Sequence, residues 1–329
     1  MRISVIIPVL NEEHSIRPLL DSLKSQTLTP AEIIITDGGS TDKTIELIEN
    51  YDRGAVPIHL ICAGRAYPGR GRNLAAAAAT NDWIAFIDAG VKPTSNWLES
   101  LAAAAGTTTD VVYGSYEPVT DTFFQECAAI AFVPPPVSVQ GELMRTRSTA
   151  SMLLRRSVWQ KVGGFPEDLR SAEDLLFMDR IEAASYRISH APNAKVYWSM
   201  PPTLWKTLRR FLAYSHNNIR ARLWQSWQAS IFKRYVTLGL LAVVGFLLNF
   251  KWLLLPIGLW LLMLLARALV ASRRNANCYP AGTGRFLLRL IVIAPVLAVI
   301  DFAAIAGSAG WLLTDRSFTP NTRSVSDGA

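Results

Sequence analysis

The sequence predicts an α/β domain built on a mostly parallel sheet, followed by apolar C-terminal helices. Three observations predict it. Short apolar runs alternate with helical stretches over the first hundred residues. Each of those runs ends in a polar group. Beyond residue 234 the chain turns apolar in runs whose length approaches that of a bilayer span.

The elements follow in order. "RISVIIPVL" reads as a strand and residues 14–25 as a helix. "EIIITDGG" is a strand, and "STDKTIELIEN" is a helix with Ser40 or Thr41 as its N-cap. "VPIHLICAG" precedes an Ala-rich helix, Arg72 to Ala79. "WIAFIDAG" precedes the helix in "TSNWLESLAAAA". "DVVYGSYEPV" and "STASMLLRR" complete the sheet, with an irregular segment at 123–147 between them that is broken by Pro134-Pro135-Pro136. Short apolar strands alternating with helices indicate a parallel sheet covered on both faces.

The net charge of +7 comes from the C-terminal half. After Glu182 no Asp or Glu occurs until Asp301, while Lys and Arg recur. A basic, acid-free region suits nucleic acid or an anionic membrane surface. The apolar runs at Tyr235–Phe250, Trp252–Ala271 and Leu290–Leu313 decide for the membrane and against nucleic acid. A spanning helix takes roughly 17–25 residues, so the first run is marginal alone and suits a tight hairpin with the second. Six of the ten Trp residues lie between 205 and 311, several at run edges, as an interfacial belt requires.

Arg and Lys flank the first run and fill the connection between the second and third, whereas the first turn carries only Lys251. The positive-inside rule then expects a multi-pass inner-membrane protein with its N-terminal domain in the cytoplasm. The expected division is a soluble domain at 1–202 and basic amphipathic helices at 203–234. An anchor of about three transmembrane helices follows at 235–314, then a polar tail at 315–329. The opening residues turn polar too early for a signal peptide. The three cysteines are widely spaced, which argues against a zinc site or a disulfide framework.

The polar strand ends are Asn11-Glu12, Asp37-Gly38-Gly39-Ser40, Arg65 to Arg72, and Asp88. Ligands of open α/β sheets bind outside the carboxyl ends of the strands. Acids together with Arg70 and Arg72 suit a ligand with a polar head and a diphosphate. "GRGRN" is too short and basic for a dinucleotide fingerprint, and it follows the third strand rather than the first.

"VIIPVLNEE", "IIITDGGSTDKT", "GRGRNLAAAAATNDWIAFIDAGVKPTSNWLE" and "GGFPEDLRSAEDLLFMDRI" occur in that order. With them the first 200 residues or so resemble glycosyltransferase family 2, the nucleotide-sugar transferases of GT-A fold. The resemblance implies that Pro8, Asn11 and Glu12 line a nucleotide pocket, with Asp37 at the base or ribose. It implies Arg70 and Arg72 near the diphosphate and Asn73 supporting their loop. The donor would be UDP- or GDP-linked. The family's fourth strand ends in two acids one residue apart, and the last ligates a divalent ion. Here the stretch reads Asp88-Ala89-Gly90, without the second acid. Asp88 alone would then hold Mg²⁺ or Mn²⁺, with phosphate oxygens and water completing the shell.

By the same resemblance Asp174 is the general base for the acceptor hydroxyl, and Glu173 orients it or touches the acceptor. In-line attack opposite the diphosphate would invert the anomeric centre. A competing local reading makes Ser171 an N-cap and Asp174 its partner on the same helix. The family's Arg- and Trp-containing element is matched only loosely, by "RARLW".

The leading expectation is an inverting transferase acting on a lipid or polyprenyl-linked acceptor. Two alternatives stand beside it: a polyprenyl-phosphate sugar synthase, and a non-catalytic nucleotide-sugar-binding subunit. A processive polysaccharide synthase is disfavoured by so few spans, and a transporter by spans almost free of ionisable groups. Asp301 is the exception in those spans, a candidate partner for Arg289.

Overall fold

In the computed structural model, residues 1–314 are described apart from 53 and 140. The expected tail at 315–329 lies outside the described residues. The chain opens with β1 (Ile3–Val9), α1 (Ile16–Lys24), β2 (Glu32–Asp37), α2 (Thr44–Glu49), β3 (Ile58–Cys62) and α3 (Pro68–Ala78). It continues through β4 (Trp83–Phe86), β5 (Val91–Pro93), α4 (Trp97–Ala104), β6 (Val111–Val119) and α5 (Phe123–Phe132). A small ribbon, β7 (Val137–Val139) and β8 (Glu142–Met144), leads to β9 (Met152–Arg155), α6 (Arg156–Lys161), α7 (Glu173–Ala183) and β10 (Ile188–Ser199). Four helices follow: α8 (Leu204–Arg220), α9 (Gln228–Leu248), α10 (Leu254–Arg274) and α11 (Thr283–Thr314).

The main sheet has the order β3-β2-β1-β4-β9-β6-β10-β5. β1 pairs in parallel with both β2 and β4, and β6 with β10. β9 runs antiparallel between β4 and β6, and β5 runs antiparallel on the edge. The sheet is therefore mostly parallel, as predicted. Strand order reverses at β1, which places a crevice at the carboxyl ends of β1 and β4.

Alternation along the strands builds two cores. Val5, Ile7, Ile33 and Ile35 face one side, against Leu19 and Leu23 of α1 and Leu98 and Leu101 of α4. Ile6, Ile34, Ile84 and Phe86 face the other, against α3 and against Phe177 and Ile181 of α7. Both faces are covered, so the strands read as nearly continuous apolar runs. Glu32 is buried at the opening of β2, where it accepts bonds from Ser4 Oγ (2.6 Å) and the Thr80 amide (2.8 Å). It ties two strands to the end of α3.

α3 begins a turn earlier than its Ala-rich run predicts. Pro68 sits in its first turn, where a proline is preorganised for helix and its missing N–H costs nothing. Gly71 then lets α3 approach the sheet, since a Cβ there would lie 3.3 Å from Pro8 Cβ. A capping box starts α5, with Gln125 N donating to Thr122 Oγ1 (3.2 Å) and Thr122 N to Gln125 Oε1 (3.1 Å).

The segment read as one basic amphipathic region at 203–234 is divided. α8 packs along α11, with Phe211 among Val296, Ile300 and Ala303, and residues 228–234 already belong to α9. α9 and α10 form a hairpin whose Val243, Leu247, Leu255 and Leu262 are exposed. α9, α10 and α11 are each long and apolar enough to cross a membrane. Asp301 is fully buried and pairs with Arg267, with Nη2 3.0 Å from Oδ1, not with Arg289. Arg289 instead binds Glu126 of α5 at 2.6 Å.

Helix α8 meets α11 at Gly307, where a Cβ would stand 2.7 Å from the Leu212 carbonyl and 2.8 Å from Ser215 Cβ. Gly307→Leu is therefore expected to wedge the two helices apart. A loss of about 1–3 kcal/mol is the scale for overpacking of this kind. Thermal unfolding of the purified full chain should show it as a lowered midpoint.

Candidate active site

The crevice at the strand ends opens into a cavity of about 1490 Å³. Its upper wall comes from the loops after β1 to β4, including Pro8, Glu12, Gly39 and Asp88. Glu173 and Asp174 at the start of α7 form a second wall. The lower part runs between α8 and the apolar helices, past Tyr214, Trp227, Arg234, Arg267 and Ile300. The loops bring together residues far apart in the chain because parallel strands all end on one edge.

Arg72 stands at the junction of the two walls. Its Nη1 donates to Glu173 Oε1 at 2.7 Å and its Nη2 to Asp88 Oδ1 at 2.7 Å. The guanidinium lies 5.3 Å from the centre of the Phe165 ring, which stacks on Phe177. Burial alone would lower its pKa, but Asp88 and Glu173 raise it, so it is permanently charged. Arg70 is exposed and lies off the cavity wall. The helix explains the difference: residues two apart point to different sides. The sequence reading placed both arginines in one loop at the diphosphate. The structure puts Arg72 inside, already shared by two carboxylates, and Arg70 outside.

The next residue, Asn73, holds the Gly-Gly-Phe-Pro turn. Its Nδ2 donates to the Phe165 carbonyl (2.9 Å), and its Oδ1 accepts from the Phe165 amide (2.9 Å) and Trp159 Nε1 (3.0 Å). Asp37 is buried behind the wall. Its carboxylate accepts the amides of Gly39 (2.8 Å) and Ser40 (3.0 Å), and so shapes the loop whose glycines line the cavity. Asn11, with φ 56°, accepts the Thr41 amide at 2.8 Å and fastens the β1 loop to the β2 loop. Pro8 and Glu12 are on the wall itself; Asn11 and Asp37 organise it.

Asp174 is half-buried, with its pKa raised to about 6. Burial is the main cause, Glu173 adds to it, and Arg72 opposes it. Glu173 is 4% exposed, and its Oε2 has no hydrogen-bond partner among the described residues. The N-cap of α7 is Ala172, in the left-handed region at φ 72°, not Ser171, whose buried hydroxyl caps nothing. A non-glycine residue there stores about 1–3 kcal/mol of strain. That turn aims Asp174 into the cavity.

Glu12 is also raised, by burial first and then by the charges of Asp88 and Asp42 against the opposing bond from Ser15. Asp88 is 41% exposed at its side chain and gives only Oδ1 to Arg72. No group of three or more His, Cys, Asp or Glu side chains forms a metal cluster among the described residues. One partly exposed carboxylate beside Glu12 fits a hard ion that brings phosphate and water ligands with it. Sequence reading had Arg65 at a polar strand end and Arg170 inside a quoted motif, but it gave no site role to Arg170, Arg234, Arg267, Tyr214 or Trp227, which are also on the wall.

Residues 4–162 match the sequence profile described as glycosyl transferase family 2. The N-terminal domain belongs to this family. Glycosyltransferase AglE of Haloferax volcanii is 26% identical over 196 residues, covering 57% of this chain and 64% of that protein. Poly(ribitol-phosphate) beta-N-acetylglucosaminyltransferase TarS of Staphylococcus aureus is 26% identical over 203 residues, covering 60% of this chain and 35% of that one. The family 2 domain thus spans under two thirds of the length of these curated relatives. Among solved structures, a mannosyltransferase from Pyrobaculum calidifontis, in complex with GDP-Man and Mn²⁺, superposes with a TM-score of 0.54 at 20% identity. That superposition covers 95% of this chain and 88% of that one. The likeness establishes the GT-A fold.

The raised pKa of Asp174 has a stability consequence with a definite sign. A carboxyl that holds its proton up to about pH 6 when folded and to about 3.8 when unfolded contributes stability that is lost as pH rises between those values. Asp174→Asn is therefore expected to unfold at a higher temperature than the parent above pH 6, by an order of 1 kcal/mol, and to match it near pH 4. Calorimetric melting at the two pH values checks this.

Proposed function

We propose that this chain is an inverting glycosyltransferase that moves a sugar from a nucleoside diphosphate to a lipid acceptor held at a membrane surface. One observation carries the proposal: a single cavity joins Asp88 and Asp174 at the strand ends to Arg234 and Arg267 on the apolar helices. A soluble acceptor needs no such extension. A lipid whose headgroup must reach the donor while its tail stays in the bilayer does.

In this reading the loops after β1 and β2 seat the nucleotide, and Asp88 faces the diphosphate. Asp174 accepts the proton of the acceptor hydroxyl as its oxygen bonds to the anomeric carbon, while the carbon–oxygen bond to the diphosphate breaks with its electron pair. A base with pKa near 6 is charged at neutral pH and accelerates attack roughly 10²- to 10⁴-fold when well placed. Glu173, locked on Arg72, positions it. Asp88, with Glu12 beside it, would hold Mg²⁺ or Mn²⁺, which when bound supplies positive charge against the leaving diphosphate. The N-terminal domain faces the cytoplasm, where nucleotide sugars are made.

Arg234 and Arg267 lie where an acceptor phosphate or sugar phosphate would rest. Arg234 Nε is buried without a hydrogen-bond partner among the described residues, whereas Arg267 is held by Asp301. This favours acceptors that carry an anionic headgroup.

The test is release of nucleoside diphosphate by the detergent-purified chain across UDP- and GDP-sugars, with Mn²⁺, Mg²⁺ or EDTA and a membrane lipid extract. Turnover of one donor that falls at least 100-fold in Asp174→Asn and is lost with Asp88→Ala is the expected outcome. Saturable donor binding without turnover, over a broad acceptor set, would overturn the enzymatic reading in favour of a binding subunit.

Gly90 offers an independent check on the ion. A Cβ built there meets only Glu12 Oε1, at 3.9 Å, so an acid can be added without a clash at Cβ. Gly90→Asp is expected to lower the Mn²⁺ concentration that gives half-maximal donor binding by about tenfold, consistent with a second hard ligand. Titration calorimetry with UDP or GDP present reads it.

A further inference from the structure

We propose that α11 does not cross the membrane. It lies along the lipid surface on the same side as the N-terminal domain, with one face in the acyl boundary and the other bearing that domain. The proposal rests on the membrane attachment described above, and it departs from what length and composition alone imply, since α11 qualifies as a span by both.

Both ends of α11 touch the N-terminal domain or the helix fastened to it. Near its start, Arg285 and Arg289 pair with Glu126 of α5, and Arg289 is 3% exposed. In its middle, Ile293 and Leu297 pack on Cys127 and Ile130 of α5, and Val296 and Ile300 on Phe211 of α8. Near its end, Gly307 lies against Leu212 and Ser215 of α8, and Ser308 Oγ accepts Gln228 Nε2 at 2.8 Å.

Helix α8 is itself held to the domain along its length. Arg210 lies 5.0 Å from the centre of the Trp198 ring, and Asn217 Oδ1 accepts the Arg170 amide at 3.3 Å. From Arg285 to Ser308 a helix runs about 35 Å at 1.5 Å per residue. The hydrocarbon core is about 30 Å thick. A crossing helix would leave one of these ends on the far side, out of reach of a domain that stays in water. α8 cannot follow it there, because Lys206, Arg209, Arg210 and Arg220 would enter hydrocarbon.

The uncovered face of α11 supplies the lipid contact. Leu288, Ile291, Phe302, Ile305 and Leu312 are all exposed. At 100° per residue they fall within about 120° of one another, a single apolar stripe along the helix. The α9–α10 hairpin, whose side chains are also exposed and apolar, alone projects deeper. The chain then crosses an even number of times, and residue 314 ends on the side of the N-terminal domain. Leu297 and Ile300, which line the cavity, sit at the depth of lipid headgroups, so an acceptor reaches Asp174 without leaving the bilayer.

Spin labels test the geometry in the full chain reconstituted into vesicles. Leu288→Cys and Ile305→Cys would be labelled in a background with Cys62→Ser, Cys127→Ala and Cys278→Ser. Their depths would be read from collision with oxygen and a nickel chelate. The two sites are about 26 Å apart along the helix. Equal, shallow depths are expected; depths differing by most of that length overturn the proposal.

A second measurement keeps every native cysteine. Fusions after Ala329 should fluoresce with green fluorescent protein and stay inactive with alkaline phosphatase in a bacterial host. An active phosphatase fusion overturns the proposal even if the label background fails to fold. Release of the protein by carbonate washing, with both labels in water, would instead defeat membrane attachment itself and this inference with it. Bound protein with unequal depths defeats the inference alone.

Discussion

Arg72 is the constraint on which the rest of the site depends. It is a buried cation between two acids that come from distant parts of the chain, Asp88 after β4 and Glu173 at the head of α7. Removing one partner from a buried pair costs about 3–5 kcal/mol, because the other charge is left in an apolar place. The neighbouring features serve this contact. Gly71 brings α3 close to β1, Asn73 clamps the turn before α7, and the Phe165–Phe177 stack walls the guanidinium from water. The two walls of the crevice are thereby held at one separation.

The same contact gathers acids at the upper end of the cavity, where Arg65 and Arg170 also line the wall. Glu12, Asp88, Glu173 and Asp174 lie around Arg72, and the pKa values of Glu12 and Asp174 are raised by burial first and by neighbouring acids second. In the proposed function, a divalent ion at Asp88 would offset the charge of these acids while Asp174 stays ionised.

The lower half of the molecule obeys a different rule. Glu126 with Arg285 and Arg289, and Asp301 with Arg267, pair between helices, while α9 and α10 expose mainly apolar side chains. Charges placed inward and apolar residues outward are what lipid requires of buried ionisable groups. The cavity passes between these two regimes, and α8 forms part of its wall at the boundary, with cations on one side and Phe211 on the other.

Much of the fold was legible from the sequence, for a physical reason. Strands buried on both faces read as continuous apolar runs, and α1 shows Ile16, Leu19, Leu20 and Leu23 at helical spacing. Such patterns are local, so "EIIITDGG" and "WIAFIDAG" located strand ends and with them Asp37 and Asp88. Asp174 was legible only through resemblance, since its own surroundings look like any helix start. The tertiary structure alone decided which arginine turns inward, because a helix beginning at Pro68 rather than near Arg72 rotates Arg70 to solvent. It decided that Asp37 shapes a loop while Glu12 faces the cavity, that Asp301 meets Arg267, and that α11 rests along the N-terminal domain. Composition sets how apolar a helix is. Which face is left uncovered depends on contacts such as Arg289 with Glu126, more than a hundred positions apart, and no local pattern encodes those.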